Sequence, residues 1–243
     1  MSADLADLYR RVAGSVDSDA RAWVIGVGRL TECADLQPVS TRALLAGASA
    51  RGVFPAGPFG VAPELVEVVF LDAEQRAEAT LAIDQPPSFV ARMGLAGPGV
   101  YTAMSRSGQL DDGSREPSHV MLSDVEAVLI DTLELTEAYA AELGYAGPAQ
   151  VLVGVESAVP GRPLELRVHD ELCGDNLRPA AGYSSFDPLR VDYPGRLDEE
   201  SAEQLRWDTA VRIAHTFGVF MPQLVGQAKT VTMIAYRPSP QAS

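Results

Sequence analysis

Three stretches of the chain place apolar side chains every three or four residues, which is the spacing of an amphipathic helix. They cover residues 3–13, 123–143 and 198–217. The second stretch begins with Ser123 and Glu126, a capping-box pair in which each side chain accepts a backbone N–H at the start of the helix. Gly144 and Gly218 follow the last two stretches, and a glycine commonly ends a helix. The pattern therefore predicts three helices with clear bounds.

The rest of the first 52 residues has a less regular pattern. Residues 19–36 fit two interpretations: residues 23–27 could form a short buried strand, or residues 20–33 could form a helix, and we favour the helix. The residues that follow Ser40 also favour a helix, which ends near Gly52. Residues 52–63 then contain three glycines and three prolines, a density that no regular element tolerates. We therefore expect helices first and a loop after them.

Five short runs beyond this loop are typical of β-strands, because they are rich in β-branched residues or alternate between apolar and polar positions. They cover residues 65–71, 77–84, 99–105, 151–155 and 164–168. The first two runs are predicted to form a hairpin, and so are the last two, around Pro160-Gly161. Residues 170–197 are expected to be irregular, and residues 230–236 fit a closing strand.

These elements predict an α+β fold, in which an antiparallel sheet of about five strands, arranged in hairpins, is covered by helices. The predicted organisation is a helical N-terminal segment at 1–52, a Gly/Pro-rich connecting loop at 53–63 and an α+β domain at 64–243.

Composition and charge exclude several classes of protein. Hydrophobic residues make up 47% of the 243 positions and charged residues 21%, which excludes a disordered or collagen-like chain. The formal net charge of −14 opposes binding to nucleic acid and to anionic membranes. No apolar run is long enough to span a bilayer, and the first residues lack the apolar core of a signal peptide. We therefore expect a soluble cytoplasmic protein without nucleic-acid or membrane partners, in which Cys33 and Cys173 stay reduced.

The sequence motifs of common enzymes are absent or incomplete. Gly26 and Gly28 begin a dinucleotide-binding pattern, but Thr31 stands where the third glycine is required. The Gly-Lys pair of a P-loop does not occur, and Ser49 lacks the second glycine of a nucleophile elbow. We therefore assign no catalytic residue and no cofactor, and we expect a binding protein rather than an enzyme.

The densest group of reactive side chains follows the fifth predicted strand. It comprises His169, Asp170, Glu171, Cys173 and Asp175. Imidazole, thiolate and carboxylate groups bind zinc, and a histidine near a cysteine can also serve as base and nucleophile. The same residues fit a solvated turn, because His169 continues the outward-facing positions of its strand. We favour the turn and assign no metal, so a site within residues 169–175 is the alternative.

The last predicted helix is apolar on two sides. The stripe expected to face the sheet comprises Leu205, Thr209, Ile213 and Phe217. The opposite stripe comprises Trp207, Val211 and His215. A helix of this kind is either sandwiched in the core or offered to a partner. Because tryptophan is enriched in interfaces, we predict that the second stripe binds a partner protein or a second copy of the chain, with His215 as a pH-sensitive contact at its rim.

Two functions follow from these patterns. The favoured one is a non-enzymatic binding, adaptor or regulatory role that depends on protein–protein contacts. The alternative is an enzyme or a metal-binding protein that uses the side chains at 169–175.

Overall fold

A computed structural model describes most of the chain between residues 4 and 225. The described residues are 4–16, 22–31, 41–50, 66–71, 76–81, 89–106, 108–109, 115–116, 119–157, 164–169, 177–179 and 186–225. The helices are α1 (Leu5–Val16), α2 (Thr41–Ala50), α3 (Leu122–Glu142) and α4 (Glu199–Thr216). The strands are β1 (Ala22–Leu30), β2 (Val66–Leu71), β3 (Arg76–Leu81), β4 (Phe89–Ala96), β5 (Gly99–Arg106), β6 (Gly108–Gln109), β7 (Arg115–Glu116), β8 (His119–Met121), β9 (Ala149–Ser157), β10 (Glu165–His169), β11 (Leu177–Pro179) and β12 (Leu189–Tyr193).

An antiparallel sheet of seven strands, in the order β12-β9-β1-β5-β4-β3-β2, organises the described part of the chain. Strands β11, β10 and β8 form a small second sheet, and β6 pairs with β7. The predicted α+β class, the antiparallel sheet and the N-terminal helix are confirmed, and the large sheet has more strands than the five or so predicted.

Helices cover both faces of the large sheet. Helix α1 packs against β1, β9 and β5 on one face, whereas α2 and α3 pack on the other. Helix α4 packs on α3 and makes no extensive contact with the described strands of the large sheet, so it lies outside α3. This order places α3 between the sheet and α4, which explains why charged residues such as Glu126 and Asp131 are buried on it.

The expected helix over residues 20–33 is wrong, because Ala22–Leu30 is strand β1. Its side chains are buried on both faces: Trp23, Ile25 and Val27 belong to the core under α1, and Ala22 and Val24 belong to the core under α3. A strand covered on both faces loses the alternation of apolar and polar residues, so its sequence resembles that of a buried helix.

Two glycines of β1 allow α3 to approach the sheet closely. A Cβ added to Gly26 would overlap the Oγ1 atom of Thr132, and one added to Gly28 would overlap that of Thr136. The Thr132 hydroxyl also lies 2.6 Å from the hydroxyl of Thr102 on β5. Gly26 and Gly28, which resemble part of a dinucleotide motif, therefore serve helix–sheet packing here.

The predicted second hairpin is also wrong. Strand β9 pairs with β1 and β12 in the large sheet, whereas β10 pairs with β8 and β11 in the small one. Residues 170–197, expected to be irregular, contain β11 and β12. Of the other predictions, the loop at 53–63 and the strand at 230–236 lie outside the described residues.

The capping box predicted at Ser123 and Glu126 does not form. Helix α3 starts directly after β8, with Met121 at the N-cap position and no side chain capping it. Ser123 is therefore already inside the first turn, and its buried hydroxyl has no hydrogen-bond partner among the described residues. Burial of Leu122 in the core extends the helix beyond the point that the local pattern indicates.

Strand β1 lies between β9 and β5, so part of the predicted N-terminal segment belongs to the same sheet as the later strands. Whether a fragment without residues 1–62 can fold is therefore a direct test of the predicted division of the chain.

Candidate functional site

Both ends of α4 are fixed by local hydrogen bonds. The Asp198 carboxylate accepts the backbone N–H of Ser201 at 2.8 Å, as the sequence predicts for an N-cap. At the other end Gly218 adopts a φ of 72°, and its N–H and that of Val219 donate to the carbonyls of His215 and Ala214. This is a Schellman motif, in which a left-handed glycine turns the chain away from the helix axis.

The buried face of α4 lies between the two predicted stripes. Thr209, Ile213 and Phe217 are buried, as predicted for the inward stripe, and Leu205 is half-buried against the main core. Ala210 and Ala214 are buried as well, so the buried face includes residues on the side toward the second stripe. The second stripe itself, which begins at Trp207, is only partly covered.

The three residues predicted to bind a partner lie in one line along α4. Trp207 and Val211 are half-buried and His215 is exposed. Their spacing of four residues places them on the same side of the helix. The structure thus brings these three positions together at the surface, and their role in binding stays a prediction.

The chain beyond α4 adds two residues to this surface that the sequence analysis missed. Phe220 is 86% exposed and Met221 is 60% exposed. The Phe220 ring meets the His215 ring edge to face, with a centroid distance of 6.5 Å. The signal for them in the sequence is the run of three apolar residues, 219–221, directly after the helix-ending Gly218. We call Trp207, Val211, His215, Phe220 and Met221 the α4 surface.

The segment that carries Phe220 and Met221 is held at both ends. The Schellman motif fixes its start, and half-buried Val219 packs on the main core. At its other end the carboxylate of Glu126 accepts the backbone N–H groups of three consecutive residues, Gln223, Leu224 and Val225, at 2.5 to 3.1 Å. Phe220 and Met221 are therefore exposed on a backbone that is tied to the core on either side.

The carboxylate that holds this segment is in an unusual environment. Glu126 is completely buried, and burial raises the pKa of its carboxyl group from 4.5 to about 7, although the three N–H donors oppose that change. The local sequence pattern predicts a capping-box role for Glu126. Its partners lie 97 to 99 positions away in the sequence, so no local pattern could have indicated them.

The alternative site lies almost wholly outside the described residues. His169 ends β10, and residues 170–176 are not among those described. Elsewhere in the described ranges, no three His, Cys, Asp or Glu side chains are grouped as metal ligands would be. A site at His169, Asp170, Glu171, Cys173 and Asp175 therefore stays a prediction.

Comparison of the chain with protein-family models, with curated proteins and with solved structures found no match. Within the described residues, no helix combines the length and the apolarity needed to cross a membrane. The function is therefore inferred from the geometry of the α4 surface.

Proposed function

We propose that this chain is a non-enzymatic binding protein, and that its α4 surface docks a basic, partly apolar segment of another protein. The observation that supports this most strongly is the exposure of Phe220 and Met221 on a segment tied to the core at both ends. Large exposed apolar side chains that sit next to one another are typical of interaction sites.

The energy available at this surface is that of an interface hot spot. Covering about 200 Å² of apolar surface on the two side chains, at about 25 cal/mol per Å², is worth roughly 5 kcal/mol. The backbone that carries them is already fixed, so binding loses less conformational entropy than it would with a free loop.

The charge around the surface favours a basic partner over a second copy of the chain. Helix α4 carries four acids, Glu199, Glu200, Glu203 and Asp208. Its Arg206 is paired with Glu134 of α3, which leaves Arg212 as the other arginine of the helix. With a net charge of −14 on the whole chain, two copies would repel each other, whereas a basic segment would be attracted. We further place this function in the cytoplasm, in keeping with a chain that has only two cysteines.

The test uses a designed basic amphipathic helical peptide and an acidic peptide of the same apolar pattern, with affinity measured by fluorescence anisotropy. Phe220→Asp with Met221→Asp adds two negative charges, which would strengthen purely electrostatic binding of the basic peptide. We expect the opposite, a loss of at least about tenfold, because the apolar contacts are removed. The matched control is Val69→Asp, since Val69 is 43% exposed and lies on the edge strand β2.

Equal binding of the acidic peptide, or unchanged binding by the double variant, would contradict the proposal. The mass in solution, measured on the same samples, shows whether the chain binds a second copy of itself through this surface. A dimer that the double variant abolishes would assign the α4 surface to self-association and overturn the choice of a basic partner.

A further inference from the structure

A cleft of about 480 Å³ lies between the C-terminal half of α3 and the edge of the sheet formed by β9 and β12. This volume is in the range of small-molecule sites. Its apolar lining comes from Leu133 and Ala140 on α3 and from Ala149 and Val151 on β9. The cleft can therefore cover the apolar body of a small ligand.

Two connections that touch each other form the mouth of the cleft. One is the turn after α3, in which Gly144 has a φ of 63°, and the other contains Gly195, with a φ of 112°. A Cβ added to Gly195 would lie 2.6 Å from the carbonyl oxygen of Ala146, so only glycine allows this approach. Backbone contact of this kind keeps the mouth in one shape.

One wall of the cleft is polar and carries a carboxylate. The hydroxyl of Tyr193 donates to Oε1 of Glu137 at 2.6 Å. The Nη2 atom of Arg206 lies 4.0 Å from Oε1 of Glu137, but it forms a closer ion pair with the carboxylate of Glu134. A carboxylate offers about four acceptor positions, so Glu137, which is one-third exposed, can accept further donors from within the cleft.

We propose that this cleft binds a small organic amine, with its apolar body against α3 and β9 and its ammonium group on the carboxylate of Glu137. This site is separate from the α4 surface, and neither proposal depends on the other. The negative charge of Glu137 is also felt by Tyr193, whose pKa is raised by burial and by that carboxylate.

An organic acid fits the same cleft less well. The cation in its lining is Arg196, which is exposed at the mouth and therefore screened by water. An acid placed in the apolar interior would instead bring its carboxylate close to Glu137, and like charges repel. Charge thus selects the amine over an acid of the same shape.

The experiment compares phenethylamine and tryptamine with phenylpropionate, using NMR of the ¹⁵N-labelled full chain. The amides of Gly144, Gly147 and Gly195 report binding at the mouth of the cleft. We expect the amines to shift these signals in a saturable way and the acid to leave them unchanged. Glu137→Gln should weaken amine binding at least about tenfold, since the ammonium group would then bond to a neutral amide oxygen instead of a carboxylate.

Two further variants complete the test. Glu142→Gln, an exposed acid on the same helix that does not line the cleft, should bind the amines as the unchanged protein does. Ala140→Leu should narrow the apolar part of the cleft and weaken amine binding, and circular dichroism shows whether the variant is folded. Absence of saturable amine binding, equal binding of the acid, or full affinity in Glu137→Gln would each overturn the proposal, and the Glu137→Gln result stands even if Ala140→Leu does not fold.

Discussion

The carboxylate of Glu126 holds the segment that exposes Phe220 and Met221, so replacing it with alanine should release that segment. Three consecutive N–H groups, those of Gln223, Leu224 and Val225, lose their acceptor in Glu126→Ala. Because these three residues are only half-buried, the segment can open and let water replace the lost carboxylate.

The size of the effect follows from the hydrogen bonds that are lost. A hydrogen bond to a charged group contributes about 1.5–3 kcal/mol, and three of them to one carboxylate do not add fully. The desolvation that raises the pKa of Glu126 to about 7 offsets part of this gain. We therefore expect the segment to open more easily by about 2 kcal/mol, which corresponds to roughly 30-fold faster amide exchange.

Hydrogen exchange followed by NMR at Gln223, Leu224 and Val225 measures this opening directly. The matched control is Glu142→Ala, which removes an exposed carboxylate from the end of the same helix. Its exchange rates at the three amides should equal those of the unchanged protein. Exchange in Glu126→Ala within twofold of the unchanged protein would show that the carboxylate does not hold the segment.

Three more predictions follow from the packing and from the same carboxylate. Because the pKa of Glu126 is raised from 4.5 to about 7 in the folded state, folding takes up a proton between these pH values. The free energy of unfolding of the unchanged protein, relative to that of Glu126→Gln, should therefore increase by about 2–3 kcal/mol from pH 8 to pH 5 in urea unfolding. A difference between the two proteins that does not depend on pH would contradict this. Gly26→Ala should lower the free energy of unfolding by more than about 2 kcal/mol, since the added Cβ overlaps Thr132. The control Gly14→Ala should change the free energy of unfolding by less than about 1 kcal/mol, because the space around Gly14 is open. A fragment that begins at Pro63 lacks β1, the strand between β9 and β5, so we expect circular dichroism to show an unfolded fragment. A folded fragment would show instead that the predicted boundary separates independent units.

Elements whose signals are local could be predicted from the sequence. Helix α1 has one apolar side, strands β2 and β3 pair as the expected hairpin, and α4 begins at its Asp198 cap and ends before Gly218. In each case the residues that decide the element lie within a few positions of it, so periodicity and capping are sufficient.

Elements whose surroundings come from distant parts of the chain could not be predicted from the sequence. The sequence pattern does not reveal strand β4, which is buried along most of its length, and it favours a helix for β1. In both strands the helices on the two faces of the sheet remove the alternation of apolar and polar residues. The carboxylate of Glu126 binds a segment almost 100 positions away, and the exposure of Phe220 and Met221 follows from that long-range contact. For the same reason the candidate surface was only partly predicted, through Trp207, Val211 and His215.

The most direct test of the central claim is a hydrogen-exchange map of the full chain with and without the basic amphipathic peptide. If the α4 surface is the docking site, slowed exchange will be confined to the outer side of α4 and to residues 218–225, and it will disappear in the Phe220→Asp, Met221→Asp variant. Slowed exchange on α1 and its face of the sheet, or no change at α4 when the peptide is saturating, would contradict the assignment of the binding function to this surface.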